Sequence, residues 1–177
     1  MMKDLFFRIM KMVEIIIVIA LLGIIAGVLA GNNGYLTNSA VKGLSQSIKS
    51  SIGETRIKAM GKQQTVICIY KDASDGQYYK QIYSKVNDSV VAGEKDLLGK
   101  SYPEVKYMVG ATEYTLDTSN YLLIGFDRST GEEKAINIDI DGDGTDETSV
   151  VCNQITVNGA GVSRTITIVP KTGKVSL

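Results

Sequence analysis

Residues Ile15 to Gly31, IIIVIALLGIIAGVLAG, carry no charge, and the residue at their head is Glu14. A run this apolar has to be covered by lipid or by protein, and a carboxylate at its edge has to find a partner. An α-helix rises ~1.5 Å per residue, so Ile15 to Ala30 reach roughly 24 Å and Met10 to Ala30 roughly 31 Å, against a bilayer core of ~30 Å. The run is therefore expected to form a transmembrane and assembly helix over residues 10–30, with Glu14 inside its edge. From Lys42 onward charges recur every few residues. That contrast sets an apolar end against a water-facing remainder.

Three readings fit the N-terminal run. Lys3 and Arg8 followed by the aliphatic stretch match a secretory signal with Val28-Leu29-Ala30 before the cut. Lys3, Arg8 and Lys11 together match a plain anchor with its N-terminus in the cytoplasm. Neither uses Glu14, and an ionisable residue within a span marks a functional site by default. Gly23, Gly27 and Gly31 recur every four residues. They either let a second helix approach closely or reflect the ordinary frequency of glycine in spans.

The segment from Met10 through Glu14 to Ala26 resembles the N-terminal signature of type IV pilins and type II secretion pseudopilins. The resemblance implies a leader over residues 1–9, cut by a prepilin peptidase between Ile9 and Met10, and methylation of Met10. Ile9 stands where that family has glycine. It further implies that Glu14 neutralises the terminal amine of a neighbouring subunit, and that the partners are other pilin-like subunits, the peptidase, an assembly platform and the membrane. The stretch IGETRIKAMGKQQTVICIYKD, the pair Gly125-Phe126 and the ending SRTITIVPKTGKVSL resemble the class H minor pseudopilins and minor pilins. On this basis the chain is expected to be a structural filament subunit, a single-pass membrane protein with its C-terminal domain outside the cytoplasm, and not an enzyme. The different reading is a membrane-anchored or secreted calcium-binding module.

Past GNNG (Gly31 to Gly34), where a break is expected, Leu36, Ala40, Leu44, Ile48 and Ile52 form a stripe spaced by four. That spacing predicts an amphipathic stalk helix over residues 31–61, ending at Gly61 with Arg56 and Lys58 in its last turn. Short β-rich runs follow at 65–70, 77–84, 105–109, 121–126, 135–140, 149–157 and 164–169, separated by turn signals such as DASDG and KTG. The fold class expected is α+β, a long N-terminal helix with a membrane half and an amphipathic half packed on a mainly antiparallel β-sheet domain, 62–177.

Candidate chemistry is sparse. The chain has no histidine, which removes the commonest general base and metal ligand. Its two cysteines, Cys68 and Cys152, admit either one disulfide or two buried thiols. Asp139-Ile140-Asp141-Gly142-Asp143-Gly144-Thr145-Asp146-Glu147 places carboxylates at alternate positions beside glycines, as a calcium loop does. The twelfth position is Val150 rather than the glutamate of an EF-hand, so Asp146 or Glu147 is expected to complete the shell around Ca2+; the alternative is a solvated acidic turn. Tyr78, Tyr79 and Tyr83 are assigned to strand packing and interface rather than to a ligand box. Arg164, Lys171 and Lys174 are assigned to a solvated face, because the 19 basic and 19 acidic residues balance and disfavour nucleic acid as a partner.

Overall fold

The computed structural model describes residues 11–27, 38–60, 63–86 and 89–177 in full, and the backbone alone of 2–10 and 28–37. The chain divides into two units, Met1–Leu36 and Thr37–Leu177. Helix α1 is bounded Met2–Ala59. Its fully described stretches are 11–27 in the first unit and 38–59 in the second. The first is exposed throughout. Of the described residues 25% are helical and 44% are in strands, which makes the second unit mainly β.

These observations correct the expected architecture. A long helix with a membrane half does not stand, because no helix among the described residues is long and apolar enough to cross a membrane. The single-pass placement, and with it the description of the chain as a transmembrane pilin, is corrected on the same finding. The leader 1–9 and the processing residues Ile9 and Met10 lie outside the fully described residues. The break expected at GNNG is corrected, because helix α1 continues through Gly31 to Gly34.

In the second unit the helix contributes one face to the core. Val41, Leu44, Ile48, Ile52 and Ala59 are buried, with Ser45, Ser51 and Thr55 beside them. The stripe read from the sequence thus holds at positions 44, 48 and 52, where i, i+4 spacing stacks side chains on one face. Thr55 Oγ1 donates back to the Ser51 carbonyl at 2.8 Å, so the buried hydroxyl is satisfied within the helix. Arg56 and Lys58 occupy the last turn, as the stripe's polarity implies.

The strands form two five-stranded antiparallel sheets. The first joins β1 (Gln64–Lys71), β2 (Tyr78–Val86), β3 (Ser89–Ala92), β4 (Asp96–Gly99) and β7 (Tyr121–Phe126), in the order β3-β2-β1-β7 with β4 also on β2. The second is ordered β12-β11-β10-β5-β6, from β5 (Glu104–Val109), β6 (Thr112–Leu116), β10 (Cys152–Gly159), β11 (Val162–Val169) and β12 (Lys174–Ser176). A ribbon of β8 (Asn137–Ile138) and β9 (Glu147–Thr148) stands apart from both.

Two apolar clusters explain the burial. The larger joins the helix to Ile67, Ile69, Leu122 and Ile124 of the first sheet and to Val105, Ile155, Val157 and Ile166 of the second. The smaller lies on the opposite face of the first sheet, where Val66, Cys68, Tyr83 and Leu123 meet Ile136 and Ile138. Strand β1 is covered on both faces, and its buried run TVICI is accordingly apolar without alternation. Gly125 makes the second packing possible: a Cβ there would fall 2.7 Å from the Lys134 carbonyl oxygen and 2.6 Å from Ser149 Oγ. The 133–149 segment can lie against β7 only because that side chain is missing.

Two expected strands change in extent. The run 135–140 contributes only the two residues of β8, and the run 149–157 enters its strand, β10, only at Cys152. Ser149 is diverted to support the ribbon, its amide donating to Ile136 O at 2.9 Å and its Oγ accepting from Ile136 N at 2.8 Å. A tight junction closes the domain at the helix end. Arg56 Nε donates to Gly131 O at 3.3 Å, and Gly173, at φ +60°, leaves no room for a Cβ against the same carbonyl.

Candidate functional site

The acidic loop between β8 and β9 is the best-organised polar cluster predicted from sequence. Asp139 accepts from Gly142 N at 2.7 Å through Oδ1 and from Gly144 N at 3.0 Å through Oδ2. Asp141 accepts from Asp143 N at 3.1 Å, and Asp143 accepts from Thr145 N at 2.7 Å. Gly142 and Gly144 take φ of 79° and 87°, the left-handed conformation glycine adopts without strain. They turn their amides towards Asp139 and curl the loop over it.

The outcome is a convergent triad. Asp139, Asp141 and Asp143 each offer an oxygen, and the three lie within 4.8 Å of one another, a group that could hold a metal ion. Asp139 is half-buried and the other two exposed. Asp146 and Glu147 are not part of this triad. Glu147 Oε2 accepts instead from Ile140 N at 2.9 Å, bracing the base of the loop where it joins β8. The carboxylate order in the sequence found the triad; which further acid joins it depends on how the ribbon closes.

Glu14 lies in the exposed stretch of the first unit. Around it Met12, Val13, Ile15 to Ile19, Leu21, Leu22, Ile24 and Ile25 are all between 50% and 68% exposed. At Gly23 and Gly27 nothing beyond the adjoining backbone of their own helix lies within 4 Å of the position a Cβ would take. This surface is apolar on every side of the helix, with a single carboxylate near its N-terminal end.

Cys68 and Cys152 are free thiols, both buried. They belong to different clusters, Cys68 to the smaller and Cys152 to the larger. The two-thiol alternative is therefore the one realised. Burial, helped by Glu147 near Cys68 and Glu133 near Cys152, pushes both thiols up to about 12. Neither is a thiolate near neutrality, which removes them as nucleophiles.

Sequence reading missed Glu133, which sits in the turn Gly131-Glu132-Glu133-Lys134 and looks there like a solvated acid. It is only 7% exposed. Its backbone pairs with Pro170 and bridges to Phe126, which draws the side chain inward. Oε1 accepts from Cys152 N at 2.6 Å, and Oε2 is buried with no hydrogen-bond partner among the described residues. Desolvation raises its carboxyl from 4.5 to about 7, against the opposing pull of the Cys152 amide.

The tyrosines separate into two kinds. Tyr78 is core, its hydroxyl donating to Pro103 O at 2.9 Å. Tyr83 is also buried, and donates to Gln81 Oε1 at 3.0 Å. Tyr79 is half-buried, donates to Asp75 Oδ2 at 2.7 Å, and stacks on Tyr70 at 6.1 Å between ring centres. Asp72 in the preceding turn is held well below the usual carboxylate range by hydrogen bonds, first from Lys95 and then from Ser74.

Compared with known proteins, the chain matches no family model, no curated protein and no solved structure.

Proposed function

We propose that the chain is a structural subunit that assembles with like subunits into a filament through the apolar helix of its first unit. The observation that carries this reading is the surface from Met12 to Ile25, exposed by at least 50% at each large apolar residue. A helix apolar on all sides is stable in water only when other apolar surface covers it. Helices of neighbouring subunits supply that cover, and Gly23 and Gly27 give them a place of close approach. Glu14 then fixes the register, because a carboxylate in such a bundle is tolerated where a cation meets it and costly where none does. The resemblance of residues 10–26 to filament-forming subunits supports the same reading.

Glu14→Ala tests it. Filaments of the purified chain, counted by electron microscopy, are expected to disappear, while the melting of the β-domain stays unchanged. Filaments of normal length and number from the variant would count against the proposal.

A second reading, compatible with the first, concerns the acidic loop. The ion it takes is Ca2+: the donors are hard carboxylate oxygens, and three acids this close repel one another until a divalent cation joins them. Calcium is expected to raise the melting temperature of the wild type and to leave Asp141→Asn nearly unaffected. A wild-type melting temperature indifferent to both calcium and chelator would remove this reading.

A further inference from the structure

The outer face of the first sheet has two parts. Residues two apart on a strand share a face, and cross-strand partners stand side by side. The register therefore sets Tyr83 beside Val66, then Gln81 beside Cys68, then Tyr79, Tyr70 and Tyr121 in one row across β2, β1 and β7. The ribbon residues Ile136 and Ile138 join Val66, Tyr83 and Leu123 in one cluster. Beyond them lies a cavity of about 290 Å³ lined by Tyr70, Tyr83, Tyr121, Gln81, Asn120 and Asp141.

We infer that this cavity is a binding site for an uncharged saccharide. Aromatic faces give a sugar ring broad contact area at small entropic cost, and amide side chains at the rim satisfy its hydroxyls. Both components are present. Tyr121, on the edge strand β7, is 43% exposed, and its hydroxyl has no hydrogen-bond partner among the described residues. Tyr70 is held from the far side, stacked on Tyr79, with Lys95 Nζ 4.0 Å from the Tyr79 ring centre and 5.6 Å from that of Tyr70. The lining rings thus rest on fixed neighbours, which limits the ordering that binding must impose.

Polar groups in the cavity are preset in the same way. Gln81 is fixed by Tyr83 at one end of its amide and by Gly93 O at the other. Asn120 is fixed by Asp117 N and Thr115 O. Each amide keeps a further donor or acceptor for a ligand.

Charge decides between a sugar and a nucleotide base, which stacks equally well on tyrosine. Asp141 forms the rim as one of the three carboxylates of the acidic loop. Lys71 is the one cation among the described residues that line it; Lys95 lies outside the lining and is engaged by Asp72. The lining side chains carry one cation and one anion, Lys71 and Asp141, so the rim offers no net positive charge to hold a phosphate backbone, and a neutral polyol needs none. The volume accommodates roughly one or two sugar rings, just under the usual range for ligand sites.

The test is a saturation titration by NMR of the full chain, kept in a detergent without sugar headgroups. The probes are the neutral trisaccharides maltotriose, cellotriose and chitotriose, with hexathymidylate as the anionic comparison. At least one neutral trisaccharide is expected to shift the Tyr70 and Tyr121 signals saturably, and Tyr121→Ala to weaken that binding roughly five- to tenfold. Tyr114→Ala, an equally exposed ring on β6, is expected to change nothing. The inference is overturned if no neutral probe saturates, if Tyr121→Ala binds as the wild type does, or if only the anionic strand binds.

Discussion

Replacing Glu133 by glutamine should remove a pH effect on the stability of the β-domain. The carboxyl has a folded-state value of about 7 against an ordinary 4.5, raised by desolvation. The folded state therefore holds its proton more tightly than the unfolded chain, and the sign follows from linkage. Stability from this group is complete below about 4.5, falls as the pH rises through the interval to about 7, and levels off above it. At ~1.4 kcal/mol per pH unit, that interval corresponds to about 3 kcal/mol lost between pH 4.5 and pH 7. Glutamine has the same shape, keeps an oxygen for the Cys152 amide and cannot ionise. Part of its gain is offset by the amide nitrogen it places where Oε2 has no partner. The slope is thus the cleaner observable than the absolute stability. Urea unfolding at half-unit pH steps from 4 to 8 is expected to show a decline in the wild type that the variant lacks. Parallel curves for the two proteins would refute the argument that burial, rather than a charged neighbour, governs this acid.

Other consequences follow from the packing. Gly173→Ala demands both a φ of +60° from alanine and a Cβ that collides with the Gly131 carbonyl oxygen; a loss of about 2 kcal/mol or more in chemical denaturation is expected. The thiols of Cys68 and Cys152 should react with a disulfide reagent at pH 8 only as fast as the domain opens, and both should react at once in denaturant. Prompt labelling of either in the native state would contradict their placement in the two clusters.

How much of this was legible in the sequence depended on whether the determining contacts were local. The helix stripe at Leu44, Ile48 and Ile52 was legible because four-residue spacing alone puts these side chains on one face. Strand β1 was legible because burial on both sides leaves an unbroken apolar run. Strands β3, β4 and β6 were not, since SVVA, DLLG and TEYTL are short and lie at sheet edges, where solvent accepts nearly any side chain.

The candidate sites divide along the same line. The acidic triad is built within five residues, and its spacing announced it. Glu133 lies next to the exposed Glu132, and only the long-range pairing with Pro170 and Cys152 distinguishes the two. The tyrosine row is assembled from three strands by cross-strand register, which no single stretch of sequence displays. The apolar run from Ile15 was the plainest feature of all, yet its hydropathy could not separate a lipid partner from a helical one.

That choice of partner is what the account most needs to have tested. Negative-stain electron microscopy of the purified full chain beside the Ile17→Asp/Leu21→Asp double variant addresses it directly, since both side chains lie on the exposed apolar stretch of the first unit and belong to neither apolar cluster of the second. The account predicts filaments from the wild type and dispersed particles from the variant, with the same β-domain melting in both. A wild type that stays dispersed at every concentration, or a variant that still forms filaments, would contradict it.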